Sequence, residues 1–476
     1  MLGKRNRAQD DLFVACSLRD LVPDDYVLRR VDKIMDLSWL RDEVRGLYDD
    51  RMGRPCIDPE AAVRLMLAGF FHGIVHDRKL MREARMHNGI RWFAGFRLHE
   101  QLPHHSSLTR LRQRWGPERF KRIFQKTVQA CVDAGLVDGD TVHVDATLIR
   151  ADVSWESLVE QHAEKILSEN DEEKPDPKPP GSPRKRRAKR ISKTDPEATL
   201  TTSKNSYRME PSFKQHTAVD DKAGVVVDVE VTTGEASEGR QLVEQIERTE
   251  SNTNRRIETV TADAGYAHPA NYAALENRKI EAIIPPQKES HAGRHIRLRR
   301  FKYDARNDIV RCPRGKILRK RTRQGNGWIY RSAKADCATC PIRAKCFSNG
   351  ASRTVLIVDG YGALLRARRR RKRWSRKEIK TYNRHRWRVE GIHGEAKTQH
   401  RLGRAVRRGL GNVAIQAYLT AAVINLKRLV GALLRLLFVL WRRIQRRQTL
   451  RMESTIRFRQ EPSTSRSANW LFKRAA

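Results

Sequence analysis

Three carboxylates sit in settings that could bring them together. Asp145 lies in the stretch Thr141–Arg150, TVHVDATLIR, where Val142, Val144, Ala146 and Leu148 alternate with Thr141, His143, Asp145 and Thr147. That period of two reads as a half-buried strand, with Asp145 on the face opposite the apolar side chains. Asp263 closes a second apolar run at 257–262, just before a glycine turn at Gly265. Glu390 stands in a long basic segment, TYNRHRWRVEGIHGEAKTQHRLGR, residues 381–404. Carboxylates on rigid elements suit hard divalent cations, and a pair of such cations can serve the attacking and leaving oxygens of an in-line phosphoryl transfer.

The glutamate segment reads as a helix, which turns about 100° per residue. With Arg386 as zero, Glu390 falls near roughly +40°, Lys397 near +20°, His393 near −20° and Tyr382 near −40°. The five form one polar stripe, which is unlike a core face and is either a site or a solvated surface. Gly391 and Gly394 weaken the helix and leave room for a close backbone approach. Two other carboxylates compete. Asp152 lies beyond the end of the first strand, and Glu395 points away from the stripe, so Asp145 and Glu390 are preferred.

Four cysteines, Cys312, Cys337, Cys340 and Cys346, follow the pattern C-x24-C-x2-C-x5-C. The CxxC pair with two further thiols could hold a structural Zn2+ in a small ribbon; the alternative is an insert with free thiols. Cys16, Cys56 and Cys131 lack such spacing and read as small buried side chains.

The chain of 476 residues carries 96 Lys and Arg against 56 Asp and Glu, a net charge of +40. Such an excess calls for a polyanion, with nucleic acid ahead of an anionic membrane surface and ahead of mere basic tails. Residues 1–20 show no secretory signal, and seven cysteines without one suit a reducing cytoplasm. The most apolar stretch, 411–440, is interrupted by Lys427, Arg428 and Arg435, which predicts a helical hairpin rather than a membrane span.

The elements that would position these residues follow from periodicity and punctuation. Residues 1–136 read as short helices, with Asp58-Pro59 as a start signal, Asp77 as a cap, a break at Gly116-Pro117 and a stop at Gly135. Arg78, Arg82, Arg85, Arg110, Arg112 and Arg114 make either a DNA-binding surface or a solvated face. After the Asp145 strand, 152–167 reads as a helix and 168–203 as a disordered basic insert. A hairpin at 214–219 and 225–233, a helix from Glu238, the Asp263 strand, a helix at Pro269–Asn277 and a strand at 280–284 complete the order. Three meandering strands followed by alternating helices and strands predict an α/β mixed sheet, the order of the ribonuclease H-like fold.

The set VHVDATLIRAD, TADAGY and R-x3-E-x6-K (Arg386, Glu390, Lys397) resembles the DDE transposases of bacterial insertion sequences, nearest the group around insertion sequences 4, 5 and 1182. The resemblance covers roughly residues 15–430 and includes the N-terminal helices and the cysteine insert. It implies that Asp145, Asp263 and Glu390 are a catalytic triad binding two Mg2+ (or Mn2+) ions. Arg386 and Lys397 would contact DNA, with His393 and Tyr382 beside them. The related signature has a tyrosine three residues before the arginine; this chain has Asn383 there and Tyr382 one position earlier. The partners implied are double-stranded DNA, as terminal inverted repeats and target, and further copies of the chain in a homodimer or larger synaptic complex. No membrane partner is expected, and the place of action would be the bacterial cytoplasm, at the nucleoid. A nuclease that cuts without strand transfer and a catalytically silent DNA-binding derivative are the alternatives. The expected organisation is a helical DNA-binding domain at 1–136, a catalytic core at 137–299 resumed at 351–440, the cysteine insert at 300–350 and a mobile basic tail at 441–476.

Overall fold

The structure is a computed structural model that describes residues 17–49, 56–155, 158–161, 189–202, 209–287 and 295–459. The N-terminal region is helical: α1 (Val27–Asp32), α2 (Leu40–Arg45), α3 (Pro59–Phe71), α4 (Asp77–Met86), α5 (Asn88–Phe93) and α6 (His105–Asp133). Helix α3 begins as its sequence dictates, with the Asp58 carboxylate accepting from Ala61 N at 3.0 Å and Pro59 in the first position. Gly116, at φ 68°, breaks α6 ahead of Pro117. The helix stops where Gly135 turns left-handed and Leu136 N returns to Cys131 O at 2.9 Å.

Asp77 is not a cap. It lies inside α4, 7% exposed, and its carboxylate takes both Arg112 amines, at 2.7 and 2.9 Å, and Arg407 at 2.6 Å. Arg112 therefore leaves the predicted basic face, because a buried carboxylate needs a buried cation.

The central sheet is built from β1 (Thr141–Arg150), β4 (Thr199–Thr201), β5 (Glu210–Asp220), β6 (Val226–Thr233), β7 (Thr259–Ala262) and β8 (Glu281–Ile283). Between β1 and β4, strands β2 (Leu158–Gln161) and β3 (Lys189–Ser192) pair as a separate ribbon. The order across the sheet is β5-β1-β7-β8, with β6 and β4 both on the outer edge of β5. Pairing is antiparallel among β1, β5, β6 and β4, and parallel from β1 to β7 to β8. The parallel strands are reached through α7 (Leu242–Thr253) and α8 (Pro269–Asn277), as such crossovers require.

The sequence expectations fail just after β1. Residues 158–161 form a strand where a helix was expected, and 189–202, expected to be disordered, are ordered. Asp195 accepts from Gly409 N at 3.2 Å and Glu197 from Leu410 N at 2.7 Å. The two acids thus satisfy free amides at the start of a C-terminal helix, a fit of negative charge to a helix N-terminus. The rest of the expected insert, 168–188 and 203, and residues 156–157 and 162–167 of the expected helix lie outside the described residues.

The cysteine insert is a meander of β9 (Lys302–Asp304), β10 (Ile309–Arg311), β11 (Ile317–Gln324), β12 (Gly327–Ser332) and β13 (Thr354–Val358), with α9 (Lys334–Ala338) and α10 (Arg343–Cys346) between the last two. Its sheet runs past the expected limit at 350 because β13 pairs with β12. Then come α11 (Tyr361–Arg371), α12 (Arg376–Thr398) and α13 (Leu410–Arg459). A capping box starts α12: Glu378 N donates to Ser375 Oγ at 3.2 Å and Ser375 N to the Glu378 carboxylate at 2.7 Å. Helix α13 is one continuous helix, not a hairpin, and it carries 441–459, expected to be mobile, as further turns. Nothing in 411–440 breaks it, since its charges interrupt hydropathy and not helical geometry. The buried first half of α13 packs on α6 and β6, where the Asn425 amide pairs with Val226 N and O, both at 2.9 Å. No helix among the described residues is long and apolar enough to cross a membrane.

Removing the Asp77 carboxylate strands the buried guanidinium of Arg112 and the half-buried one of Arg407. Asp77→Ala is expected to cost about 3–5 kcal/mol in chemical denaturation, against little change for the exposed pair partner Asp152→Ala.

Candidate functional site

The register of β1 on β7 decides the geometry. Their last paired residues are Val144 and Ala262, so Asp145 and Asp263 stand one residue further along adjacent parallel strands. Asp263 turns the chain at once: its Oδ1 accepts from Gly265 N at 2.7 Å. A Cβ at Gly265 would stand 2.9 Å from that oxygen, so glycine keeps the turn open. Asp145 and Asp263 line one cavity of about 930 Å³ together with Glu238, Lys214, Arg150, Lys397, Arg401 and Arg404.

The Asp145 face of β1 is not a solvent face. His143, two residues back, is fully buried, because α12 lies across β1 and β7. The contact is polar. His143 Nε2 lies 3.0 Å from Asp221, His143 Nδ1 lies 2.6 Å from Thr261 Oγ1, and Thr261 Oγ1 lies 2.9 Å from His385 Nδ1 on α12. A carboxylate only accepts, so neutral His143 carries its proton on Nε2 and its Nδ1 accepts from the Thr261 hydroxyl. The threonine oxygen then accepts from His385 Nδ1–H, and each group in the chain has one role. Arg384, 2.8 Å from Asp221, adds a charged anchor from the same helix. At the far end of α12, Glu395 meets Lys427 at 2.9 Å and Arg428 at 2.7 Å on α13. These cations and His400 outweigh burial and hold its carboxyl at about 2. Glu395 is thus a tie between helices, and Asp152 pairs with Arg404 at 3.0 Å.

Burial raises the Asp145 carboxyl to about 7, assisted by the charges of Asp263, Glu238 and Glu390 and opposed by the Ala146 amide. Glu390 therefore lies on the same side of the fold, but its side chain is exposed and turned to Arg386, Nε to Oε2 3.3 Å. Among the described residues, no three His, Cys, Asp or Glu side chains already clasp a common point. The donor set fits a hard divalent cation nonetheless. Its atoms are carboxylate oxygens, those of Asp145 and Asp263 share one cavity, and the Glu390 side chain is exposed with a single arginine partner among the described residues.

The predicted DNA-contact residues divide. Arg386 is exposed, and Lys397 lines the cavity near Asp145. Tyr382 is half-buried, stacked parallel on His385 with ring centres 6.1 Å apart. Burial raises its phenol, and the charge of Asp263 adds to this. His393 departs from the expectation. It is 7% exposed, its Nε2 lies 3.1 Å from Thr217, and its Nδ1 lies 3.8 Å from Asp145. It points into the fold, because the −20° edge of the stripe is where α12 rests on the sheet. Glu238 and Tyr266 were missed: each sits in a turn, where periodicity carries no signal.

Cys312, Cys337, Cys340 and Cys346 line one small cavity in the insert. A turn at Cys312 returns Gly315 N to its carbonyl at 2.8 Å, with Gly315 at φ 81°. Burial raises the Cys346 thiol, against the pull of Arg353, and the other three thiols add to the rise. Cys131 is buried as expected, Cys56 is exposed, and Cys16 lies outside the described residues.

Comparison with known proteins follows this division of the chain. Residues 193–426 match the Transposase DDE domain family, a span that holds Asp263 and Glu390 and begins after Asp145. Residues 16–114 match the Transposase domain (DUF772) family. The chain therefore carries a transposase DDE domain behind a transposase N-terminal domain, on a mixed α/β, ribonuclease H-like core. No curated protein matches it. Among solved structures, a piggyBac transposase synaptic complex with hairpin DNA is 10% identical, with 92% of this chain and 82% of that chain covered at a TM-score of 0.30. A Mos1 transposase paired-end complex with left transposon end is 14% identical, with 52% of this chain and 65% of that one covered at a TM-score of 0.16.

The histidines under α12 make a pH dependence. Burial lowers His385 to about 4 and His393 to about 3, and it also lowers His143. Unfolding returns them to about 6.5, so the stability they contribute is complete above that pH and is lost as pH falls toward about 4. For His385 the loss is roughly 3 kcal/mol at about 1.4 kcal/mol per pKa unit. Compared with wild type, His385→Gln is expected to gain stability as pH falls from 7 to 4.5, read as the difference between their denaturation midpoints, because the variant lacks this loss. His216, lowered to about 4 by burial, keeps part of the pH dependence in both.

Proposed function

We propose that the chain is the transposase of a bacterial insertion sequence, of the group around insertion sequences 4, 5 and 1182. It binds the terminal inverted repeats of its element, cuts the DNA there and transfers the freed end into target DNA. The observation that carries this reading is the placement of Asp145, in the middle of β1, beside Asp263, just past the end of the parallel neighbour β7, with the Glu390 helix laid across both strands. Asp145, Asp263 and Glu390 would hold two Mg2+ (or Mn2+) ions, which when bound supply positive charge to the attacking and leaving oxygens of the scissile phosphate.

The chain's own residues do the rest. Lys397, Arg401, Arg404, Arg150 and Lys214 frame the cavity and offset the charge of a phosphate backbone. Arg386 pairs with Glu390 until DNA competes for it, which frees the carboxylate as the arginine takes a phosphate. Tyr382, near enough for the charge of Asp263 to bear on its phenol, stacks on His385 on the same helix. His393 works from below, holding α12 at its distance from β1 and β5. The exposed basic residues of α11 and of the N-terminal helices carry the non-specific part of duplex binding. Two element ends must be held together for transfer, which calls for a homodimer or larger synaptic complex.

The test is cleavage of a duplex bearing the ends that flank the gene. Asp145→Asn, Asp263→Asn and Glu390→Gln are each expected to lower Mg2+-dependent cleavage by about 10³-fold or more, with duplex binding kept. Full cleavage by Asp145→Asn overturns the site. Cleavage without joined product identifies a nuclease, and binding without cleavage by the unaltered chain identifies a silent derivative.

The cysteine cavity would hold a structural Zn2+. Purified protein is expected to contain about one zinc per chain, as a four-thiolate site requires. Elemental analysis should show it lost in Cys337→Ser.

A further inference from the structure

We infer that Glu238 is a fourth carboxylate of the same cation site, in place on the sheet side before Glu390 turns in from α12. The inference rests on the proposed site at Asp145 and Asp263.

Glu238 opens the 3-10 turn Glu238–Gln241 between β6 and α7. Two close contacts fix that turn against the Asp263 turn. The Asn271 amide donates to Gly239 O at 2.7 Å and to Tyr266 O at 2.9 Å, clasping both backbones. Gly239 lies so close to the His268 ring that a Cβ there would stand 2.0 Å from it. The turn is thus held as firmly as a strand end, which a metal ligand needs.

The carboxylate has two separate environments. Oε1 meets Lys214 at 3.1 Å, and Lys214 also donates to Ala236 O at 2.9 Å. Oε2 faces the other way, 3.3 Å from the point where a Gly265 Cβ would be, a point 2.9 Å from Asp263 Oδ1. The missing side chain of Gly265 leaves the gap between these oxygens. Glu238 lines the same cavity as Asp145 and Asp263.

Tyr266 supplies an independent sign. Its ring is fully buried, and its hydroxyl has no hydrogen-bond partner among the described residues. After burial, the charges that bear on that hydroxyl are those of Asp145, Glu238 and Asp263. A buried, unpaired phenol in the turn that Asn271 ties to the Glu238 turn, within the field of three carboxylates, can donate to a ligand oxygen or to bound water among them. A simple Lys214–Glu238 ion pair explains neither the second oxygen nor this hydroxyl.

The test reads Mn2+ binding to the full chain, without DNA and without turnover, by the paramagnetic resonance of free Mn2+. Glu238→Gln keeps the size and the Lys214 contact and is expected to weaken binding by about 10-fold or more. Asp145→Asn should weaken it at least as much. Glu244→Gln, an exposed site on α7, should not change it. If Asp145→Asn loses Mn2+ and a folded Glu238→Gln binds like wild type, this inference fails and the proposed site stands. If neither variant changes binding, the proposed site fails with it. A measurement on the unaltered chain covers a misfolded variant. Fe2+ with ascorbate should cut the backbone beside 238 as well as beside 145 and 263. Cuts at the last two alone overturn the inference.

Discussion

The pairing of β1 with β7 is the constraint on which the rest depends. Parallel register puts Asp145, in the middle of β1, beside Asp263, just past the end of β7, and the fold half-buries the first of them. Like charges held this close cost free energy, which appears as the rise of Asp145 to about 7, led by burial. A fold that keeps such repulsion has a use for it, since a cation entering the cavity removes the cost. Lys397, on the helix across the cavity, supplies only part of the compensation, through its attraction to Asp145.

Helix α12 is the second half of the device, and it is held by polar groups rather than by apolar bulk alone. The series Asp221, His143, Thr261, His385 gives one donor and one acceptor at each step and fixes the rotation of the helix. Val389 and Ile392 pack beneath it. Glu395 then locks the helix to α13, whose first half runs back through α6 and β6 to the N-terminal region. The Asp77, Arg112 and Arg407 cluster closes the circuit, joining the N-terminal helices to the segment between α12 and α13. The position of Glu390 is thus tied to every layer of the molecule, while its side chain stays exposed on the surface, held by Arg386 alone among the described residues.

What could be read from the sequence was whatever depends on local period and punctuation. Alternation placed Asp145 on a strand, proline and glycine marked α3, the break in α6 and α8, and the strand order made β1 and β7 neighbours. Facts that depend on what covers a face were not legible. His143 and His393 are polar residues in polar positions, and only the docking of α12 buries them. Asp77 looked like a cap because its distant arginines are 35 and 330 residues away. The charge-rich stretch at 189–202 lacked the composition of an ordered segment, yet Asp195 and Glu197 find their partners at the start of α13. Glu238 stood in a turn, with no periodic neighbour to show which way it faced.

The central claim is that residues from β1, the end of β7 and α12 form one divalent-cation site. Crystals of the full chain soaked in Mn2+ test it most directly, through anomalous scattering at the manganese edge. The account predicts density between the carboxylates of Asp145 and Asp263, at the usual metal–oxygen distance of about 2.0–2.2 Å, with Glu390 swung away from Arg386. Manganese bound elsewhere, with this cavity vacant in a protein that still cuts DNA, would contradict it.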